Sequence, residues 1–436
     1  MNEPSGMKRP EIMAPAGNFE CLHAAIQGGA DSVYFGIGGL NMRSHSANNF
    51  TPEDLHEICG ICRSHSVRTY LALNICLYDE DLAEMRRSVD AAVSAGVDAV
   101  IASDMAAITY ARERGMEVHI STQLNVSNTE ALRFYARFAD VIVLARELNL
   151  GQVKKIKEAI DRENITGPSG RKVEIEMFVH GALCMAVSGK CYLSLHEYGA
   201  SANRGSCYQL CRRGYTATDI ETGTQLEIDN KYIMSPKDLC TIEFIDKMAE
   251  AGVSVFKIEG RARSAEYVKR VVSCYRRAAD ALYDGTFTQE MGAGLKQELA
   301  EVFNRGFWDG YYLGAKLGEW SRVYGSQATR RKVYCGKITN WFARHSVAEI
   351  TVESATVKTG DRLLITGATT GVVELTAKEI RVDLKTVQQA VKGEKCSIPV
   401  DFSEAEAPDG LTEEIPGAIR DEKFRRGDKV YIWEKA

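Results

Sequence analysis

The feature that most constrains this chain is a short pattern that recurs through its first 260 residues. Residues 29–34, 96–101, 138–143 and 252–256 each combine the end of a helix with a run of apolar residues. Short apolar runs are typical of strands that are covered on both faces. The segments between them have helical spacing; Leu82, Met85 and Val89, for example, lie on one stripe. The pattern therefore predicts successive βα units.

Eight such strands are predicted, at residues 11–16, 32–36, 68–74, 99–104, 117–122, 140–146, 173–180 and 254–259. Eight strands separated by helices indicate an α/β fold, a (β/α)₈ TIM-type barrel. An open doubly wound sheet is the alternative. It is less favoured because the first strand is not followed by Gly-x-Gly-x-x-Gly, and the nearest match, residues 36–39, lacks the third glycine.

The pattern changes after a helical stretch at residues 262–317. Period-two alternation predicts six strands, at 333–339, 346–352, 361–366, 372–382, 395–400 and 429–434, which indicate a small antiparallel β-barrel. A chain of 436 residues is long enough for two domains. We place the TIM-type barrel with its helical tail at residues 1–325 and the small β-barrel at 326–436.

The charge balance excludes a strongly basic protein, because 54 Lys and Arg face 59 Asp and Glu, for a net charge of −5. RNA binding would therefore need a local patch. The connector at 321–345 has six basic residues, no acidic ones and several aromatic rings. It is either a hinge that holds single-stranded RNA or a solvated linker with core aromatics. The polar N-terminus and the absence of a long apolar run predict a cytoplasmic protein that does not enter a membrane.

Five of the twelve cysteines crowd into one segment, an insertion at about residues 181–250 between the seventh and eighth strands. Four of them follow the spacing Cys184-x₆-Cys191-x₁₅-Cys207-x₃-Cys211, and Cys240 comes later. Four thiolates at the mouth of a barrel can bind an iron–sulfur cluster or a zinc ion. Zinc is disfavoured because only one of the pairs has the short spacing of a zinc knuckle. Buried free thiols remain the alternative.

The segment 176–194, which contains the first two of these cysteines, resembles the signature of the collagenase-like peptidase family, peptidase family U32. Residues 13–17, 205–207, 235–240, 257–261 and 303–307 and the pair Cys211-Arg212 agree with it, so the resemblance covers nearly the whole chain. It implies an oxygen-independent hydroxylation protein with a [4Fe–4S] cluster. Cys184, Cys191, Cys207 and Cys211 are the implied ligands, with Cys240 as an alternative fourth.

Within this family, the chain most resembles the proteins that hydroxylate uridine at the wobble position of tRNA to 5-hydroxyuridine. The resemblance therefore implies tRNA as the partner and prephenate as the hydroxyl donor. Other relatives act on ribosomal RNA or on the ubiquinone ring. The ubiquinone proteins lack a C-terminal β-barrel, so residues 330–436 favour the RNA branch.

The barrel reading places nine polar side chains at one mouth. They are Arg43, Asn74, Asp104, Gln123, Arg146, Glu147, His180, Glu259 and Arg261. We take Arg146, His180, Glu259 and Arg261 as catalytic candidates. Arg146 and Arg261 suit a dicarboxylate such as prephenate, or else pair with Glu147 and Glu259 at the rim. His180 is either a proton-transfer group or a structural one.

Two other classes of function remain. A peptidase is less supported because neither His56-Glu57 nor His196-Glu197 is followed by the second histidine of a zinc helix, and no Gly-x-Ser-x-Gly is present. A dispersed catalytic triad stays open. An RNA-binding scaffold with a structural metal would explain the C-terminal domain, but not the polar strand ends beside the cysteines.

Overall fold

The computed structural model describes residues 8–44, 49–223, 225–226, 234–314, 318–402 and 424–436. Its first domain is a closed barrel of eight parallel strands, which confirms the predicted TIM-type fold. The strands, here β1 to β8, are Glu11–Pro15, Ser32–Phe35, Arg68–Leu73, Ala99–Ala102, Glu117–Ile120, Val141–Val143, Glu174–Gly181 and Val253–Ile258. The barrel closes because β8 pairs in parallel with both β7 and β1.

Helices connect and cover these strands. The α-helices are Phe19–Gln27, Leu55–Ser64, Leu82–Ala95, Met105–Glu113, Thr129–Ala136, Leu150–Glu163, Leu193–Tyr198, Ile245–Glu250, Ala265–Tyr283 and Gln289–Leu299. Single 3₁₀ turns are Pro52–Asp54, Asp79–Asp81, Thr122–Leu124, Ala202–Arg204, Leu210–Arg212, Ile242–Phe244 and Ala343–His345. The helix Leu82–Ala95 shows why they form: it buries Met85 and Val89 on one stripe and ends at Gly96, whose φ of 78° suits glycine.

The barrel has a main apolar core between strands and helices and a smaller cluster in its interior. The interior also holds charge. Lys257 Nζ lies 2.6 Å from Glu176 Oε1, and both side chains are almost fully buried. Glu176 is therefore paired, and its second oxygen lies 3.7 Å from Nδ1 of His119. A buried ion pair of this kind is retained only where each charge has a partner.

Two short strands extend the sheet beside β7. Asp238–Cys240 pairs antiparallel with the end of β7, and Phe307–Trp308 pairs in parallel with Asp238–Cys240. A separate hairpin joins Ala217–Thr218 to Gln225–Leu226. The cysteine-rich insertion therefore leaves the barrel at the end of β7 and returns along its edge.

The C-terminal domain is an antiparallel sheet around a core of its own. Its eight strands lie in the order Gly371–Thr376, Arg362–Gly367, Lys429–Lys435, Arg330–Phe342, Val347–Val352, Lys395–Pro399, Ile380–Val382, Lys385–Val387. A two-stranded ribbon, Val357–Lys358 with Gln389–Ala390, accompanies it. The predicted boundary after residue 325 falls between Phe307–Trp308 and Arg330–Phe342, the flanking strands of the two sheets.

The sequence predicts one strand over residues 372–382, whereas the structure has two strands there. Gly371–Thr376 is the first strand of the row and Ile380–Val382 the seventh. Three residues, 377–379, connect them, and so few residues reach only about 14 Å from Cα to Cα. Six strand spacings in a flat sheet would measure about 29 Å. The sheet must therefore curl until its two ends approach, which gives the domain its barrel-like shape.

The hinge predicted at residues 321–345 is wrong for most of its length. Arg330–Phe342 is a central strand that pairs with neighbours on both sides. Its basic side chains are engaged in ion pairs: Lys332 with Glu266 at 3.0 Å and Lys337 with Glu353 at 2.6 Å. The alternation correctly predicts a strand at residues 333–339, but the observed strand extends beyond it at both ends, into residues that basic composition assigned to the hinge.

The two domains contact each other through hydrogen bonds, an ion pair and apolar packing. The side chain of Gln27 donates to the carbonyl oxygen of Thr370 at 2.8 Å and accepts from the amide of Val372 at 2.9 Å. Arg270 pairs with Glu374 at 2.8 Å, and Trp433 packs into the core of the first domain. In the part of the chain described, no helix combines the length and apolar character needed to span a membrane.

Candidate active site

The cysteine-rich segment begins where β7 ends. Gly181 has a φ of 106°, and a Cβ there would lie 2.6 Å from the carbonyl oxygen of Glu259, so glycine lets the chain turn away from the barrel. The segment is then held at several points. Arg212 donates to the carbonyl oxygens of Leu183, at 2.6 Å, and Pro236. Its start and end are thus joined by one guanidinium.

Four cysteines of this segment form an electrostatic group. Burial raises the pKa of Cys211; Arg212 lowers it, and Cys184, Cys207 and Cys191 raise it further. Cys184 is exposed, and the other three are partly exposed. Four cysteines in one segment, at a surface that a ligand can reach, suit an iron–sulfur cluster bound by four thiolates.

Among the residues the structure describes, no three His, Cys, Asp or Glu side chains come close enough to hold one metal ion. In a [4Fe–4S] cluster, each thiolate binds a different iron atom, so the cysteines stand farther apart than the ligands of one zinc ion. The donor set fits the cluster in number and in chemistry.

Cys240 lies apart from these four. It is buried opposite His180 in the strand pair beside β7, and the hydroxyl of Tyr275 donates to its sulfur at 4.0 Å. Burial raises its pKa to about 11. The cysteines that raise the pKa of Cys211 are Cys184, Cys207 and Cys191, and Cys240 is not among them. Its surroundings are those of a thiol packed in a core.

A cluster of arginines surrounds one carboxylate at the mouth. Nη2 of Arg43 lies 2.6 Å from Oε1 of Glu259. Burial alone would raise the pKa of Glu259, but Arg43, with Arg146 and Arg261, outweighs it and lowers this pKa to about 2. The hydroxyl of Tyr34 completes the group at 3.3 Å from Oε2. Glu259 is therefore ionised at neutral pH.

The other two arginines each have a buried nitrogen without a hydrogen-bond partner in the described part of the chain. Arg261 is buried and donates to Oδ1 of Asn41 at 3.1 Å, whereas Arg146 donates to the carbonyl oxygen of Ala182 at 3.2 Å and stacks on Phe178. This nitrogen is Nε in both arginines. Three guanidinium groups around one carboxylate leave a positive excess, which suits an anion.

Arg43 connects the two halves of the site. Its pKa is raised by Glu259, against the effect of burial, and then by Cys184 and Cys207. The arginine cluster and the cysteine group are thus adjacent. The sequence predicts Arg43 among the polar side chains at the mouth, but Arg43 is not one of the four catalytic candidates. Tyr34 and Asn41 were missed, the first because it reads as an ordinary strand residue.

His180 is not brought into this cluster. It is almost fully buried, and its ring lies among the rings of Tyr267, Tyr275 and Phe307. Burial, with a smaller effect of Arg263, lowers its pKa to about 3. The imidazole is therefore neutral at physiological pH, which suits a structural side chain. Of the four catalytic candidates, the structure brings Arg146, Glu259 and Arg261 together.

Comparison with known proteins places this geometry in a family. The sequence model described as Peptidase family U32 matches residues 17–322. A protein named collagenase, from Porphyromonas gingivalis strain W83, is 58% identical over 98% of each chain. The tRNA hydroxylation protein P1 of Bacillus subtilis is 35% identical over 77% of this chain and 78% of its own. The 23S rRNA 5-hydroxycytidine C2501 synthase of Escherichia coli is 34% identical over 71% of this chain and 46% of its own.

Proposed function

This chain belongs to peptidase family U32, and on that premise we propose that it hydroxylates a uridine of tRNA without molecular oxygen. The product would be 5-hydroxyuridine at the wobble position, and the hydroxyl donor prephenate. The observation that carries the proposal is the position of Arg43, which touches Glu259 of the arginine cluster and is influenced by Cys184 and Cys207. We therefore propose that the arginine cluster and the cysteine group act as one site.

The arginine cluster gives the hydroxyl donor its place. Prephenate has two carboxylates, and Arg146 and Arg261 each keep a buried Nε donor at the mouth. Glu259 pairs with Arg43 and so holds that arginine within the cluster. A bidentate grip of this kind sets orientation as well as affinity.

The reaction replaces the C5–H bond of uracil with C5–OH, a two-electron oxidation of the base. The oxygen comes from the donor's hydroxyl group, which leaves with its bonding electrons. The donor's ring carboxylate leaves at the same time as CO₂, and the electron pair of the broken C–C bond makes the remaining ring aromatic. The base loses one proton and two electrons, and the electrons pass to an external acceptor of the iron–sulfur or flavin class. A [4Fe–4S] cluster bound by Cys184, Cys191, Cys207 and Cys211 would supply one-electron transfer beside the site.

The rim around the cysteines supports an RNA substrate. Tyr192 is 73% exposed, Tyr208 55% and Tyr198 48%, although aromatic rings are usually covered. The rings of Tyr198 and Tyr208 contact each other, and Arg213 donates to the hydroxyl of Tyr198 at 2.7 Å. Exposed rings held by such contacts suit stacking with unpaired bases, as in an anticodon loop. If the protein acts on tRNA, as proposed, we expect it in the cytoplasm.

A reconstituted reaction tests the proposal. Protein purified without air is mixed with unmodified tRNA, prephenate and an electron acceptor, and the digested nucleosides are analysed by mass spectrometry. The proposal expects 5-hydroxyuridine that depends on prephenate and that forms more slowly in Arg261→Lys when prephenate is below saturation. Product formation without prephenate would contradict the assigned donor.

Collagen hydrolysis is the second candidate, favoured by the 58% identity to the protein named collagenase. The same preparation is therefore assayed on heat-denatured collagen, with Cys191→Ala as the matched variant. Cleavage that depends on Cys191, without any 5-hydroxyuridine in tRNA, would replace the hydroxylase proposal. Cleavage that persists in Cys191→Ala would point to a contaminating protease.

A further inference from the structure

A cavity of about 620 Å³ opens in the C-terminal domain, and the proposed site at the barrel mouth does not use it. The residues that line it include Asn340, Trp341, Glu349, Lys395, Phe424 and Arg426. Pockets for small organic groups measure roughly 300–1,000 Å³. The cavity is therefore large enough for one nucleotide.

The aromatic part of this cavity is rigid. Trp341 is half-buried, and its ring meets the edge of Phe424 at 5.3 Å and that of Phe402 at 5.7 Å between centroids. Phe424 is itself buried. The indole nitrogen of Trp341 has no hydrogen-bond partner within the residues described. A tryptophan ring held in place in this way is a surface on which a base can stack with little further loss of side-chain entropy.

The charged part of the cavity favours a phosphate. Lys395 and Arg426 are exposed at its edge. Glu349 is the acidic side chain among the lining residues, and its Oε1 accepts a hydrogen bond from Thr339 at 2.7 Å. The excess of positive charge beside an aromatic ring matches the two halves of a nucleotide, whereas an acidic peptide would use only the cations.

A short series of contacts links the cavity to the barrel domain. Gln27 of the barrel domain donates to the carbonyl oxygen of Thr370 at 2.8 Å, and the hydroxyl of Thr370 donates to Asp428. Asp428 also accepts from the amide of Arg425, a lining residue of the cavity, at 2.8 Å. An RNA chain bound to the barrel domain therefore has nucleotides within reach of the cavity.

We infer that this cavity binds one unstacked nucleotide of the RNA substrate, with the base on Trp341 and the phosphate beside Lys395 and Arg426. The inference rests on the proposed function, because it names a second contact for the same RNA. Its role is affinity and positioning, so the chemistry at the barrel mouth does not depend on it.

Binding is measured with the full chain, by titrating unmodified tRNA and a twelve-nucleotide oligouridylate at several salt concentrations. The variant Lys395→Ala/Arg426→Ala removes both cations, and Lys385→Ala removes an exposed lysine of the same domain outside the cavity. We expect the double variant to weaken binding on the order of 10-fold and to reduce the salt slope by about 1.4 for the oligonucleotide. Lys385→Ala should match the wild type.

A second pair of variants tests the ring. Trp341→Phe keeps an aromatic surface, and Trp341→Leu removes it; thermal melting shows whether each is folded. We expect Trp341→Leu to lose on the order of 10-fold in oligouridylate affinity and Trp341→Phe to lose less. If Trp341→Leu does not fold, quenching of the tryptophan fluorescence of the wild type, but not of Trp341→Phe, by oligouridylate gives the same information.

Unchanged affinity and salt slope in Lys395→Ala/Arg426→Ala would overturn the inference, as would equal competition by a hexaglutamate peptide. Failure of the proposed function looks different. In that case RNA still binds through the cavity, but no 5-hydroxyuridine forms. If instead only the inference fails, product forms while the cavity variants bind RNA as the wild type does.

Discussion

Arg43 donates two hydrogen bonds to one oxygen of Glu259, from Nη2 at 2.6 Å and from Nε at 3.2 Å. This contact ties the loop after β2 to the residue that follows β8, so two strand ends of the barrel share one ion pair. Cys184 and Cys207 add to the field that raises the pKa of Arg43. A change of charge at these cysteines should therefore change the electrostatic field at the arginine cluster.

The pH dependence of stability follows from Glu259. Its pKa of about 2 in the folded protein lies below the ordinary 4.5, because Arg43, Arg146 and Arg261 outweigh burial. The ionised form thus stabilises the fold fully above about pH 4.5, and this contribution is lost as the pH falls towards 2. It amounts to at most about 3 kcal/mol.

Denaturant unfolding of wild type and Glu259→Gln between pH 7 and 3 checks this. The stability difference between them should shrink as the pH falls. A difference that stays constant over this range would show that the carboxylate is not held by the arginines.

The buried pair Glu176–Lys257 should matter through its balance of charge. Lys257→Met leaves Glu176 buried without its 2.6 Å partner and should cost about 3–5 kcal/mol of unfolding free energy. The double variant Glu176→Met/Lys257→Met removes both charges and should recover much of this loss. Lys157→Met, at the exposed pair with Asp161, is the control and should change stability by less than about 1 kcal/mol. A double variant as unstable as the single one would contradict this view.

The arginines should act on the hydroxyl donor. Arg146→Lys and Arg261→Lys keep the charge but lose the planar fork, so the KM for prephenate should rise on the order of 10-fold, with a smaller effect on the KM for tRNA. Arg162→Lys, at an exposed arginine on a barrel helix, is the control. Steady-state rates at saturating tRNA give the comparison. An unchanged KM for prephenate in both site variants would remove the anion from this cluster.

The metal content of cysteine variants distinguishes the cluster ligands from Cys240. We expect about four iron and four sulfide per chain in the wild type purified without air, and a large loss of both in Cys191→Ala. Cys240→Ala should retain the iron, because its thiol lies in the core against Tyr275. Equal loss of iron in both variants would make Cys240 a ligand and displace one of the other four.

The barrel could be predicted because its information is local. Each buried strand is a short apolar run, and each helix has its own stripe and stop, as Met85, Val89 and Gly96 show. All eight predicted strands overlap the observed ones. The bounds of the C-terminal strands could not all be predicted. The turn at residues 377–379 is set by long-range pairing with the segment around Asp361 and not by a local signal.

The site could be predicted only in part, for a similar reason. Cysteine spacing marks Cys184, Cys191, Cys207 and Cys211 without any structure. The ion-pair partner of Glu259 could not be predicted in this way. The sequence suggests Arg261 as its partner, but in the barrel Arg43, 216 residues away along the chain, forms the ion pair. His180 at a strand end looked available for catalysis, and only the packing of three rings shows that it is enclosed.

The most direct test of the account is the nucleoside content of tRNA from cells that lack this protein. The deletion strain is complemented with the wild type, Cys191→Ala or Cys240→Ala, grown without oxygen, and its tRNA is digested and analysed by mass spectrometry. The account predicts that 5-hydroxyuridine and its derivatives vanish on deletion and return with the wild type and Cys240→Ala, but not with Cys191→Ala. An unchanged nucleoside profile in the deletion strain would contradict it.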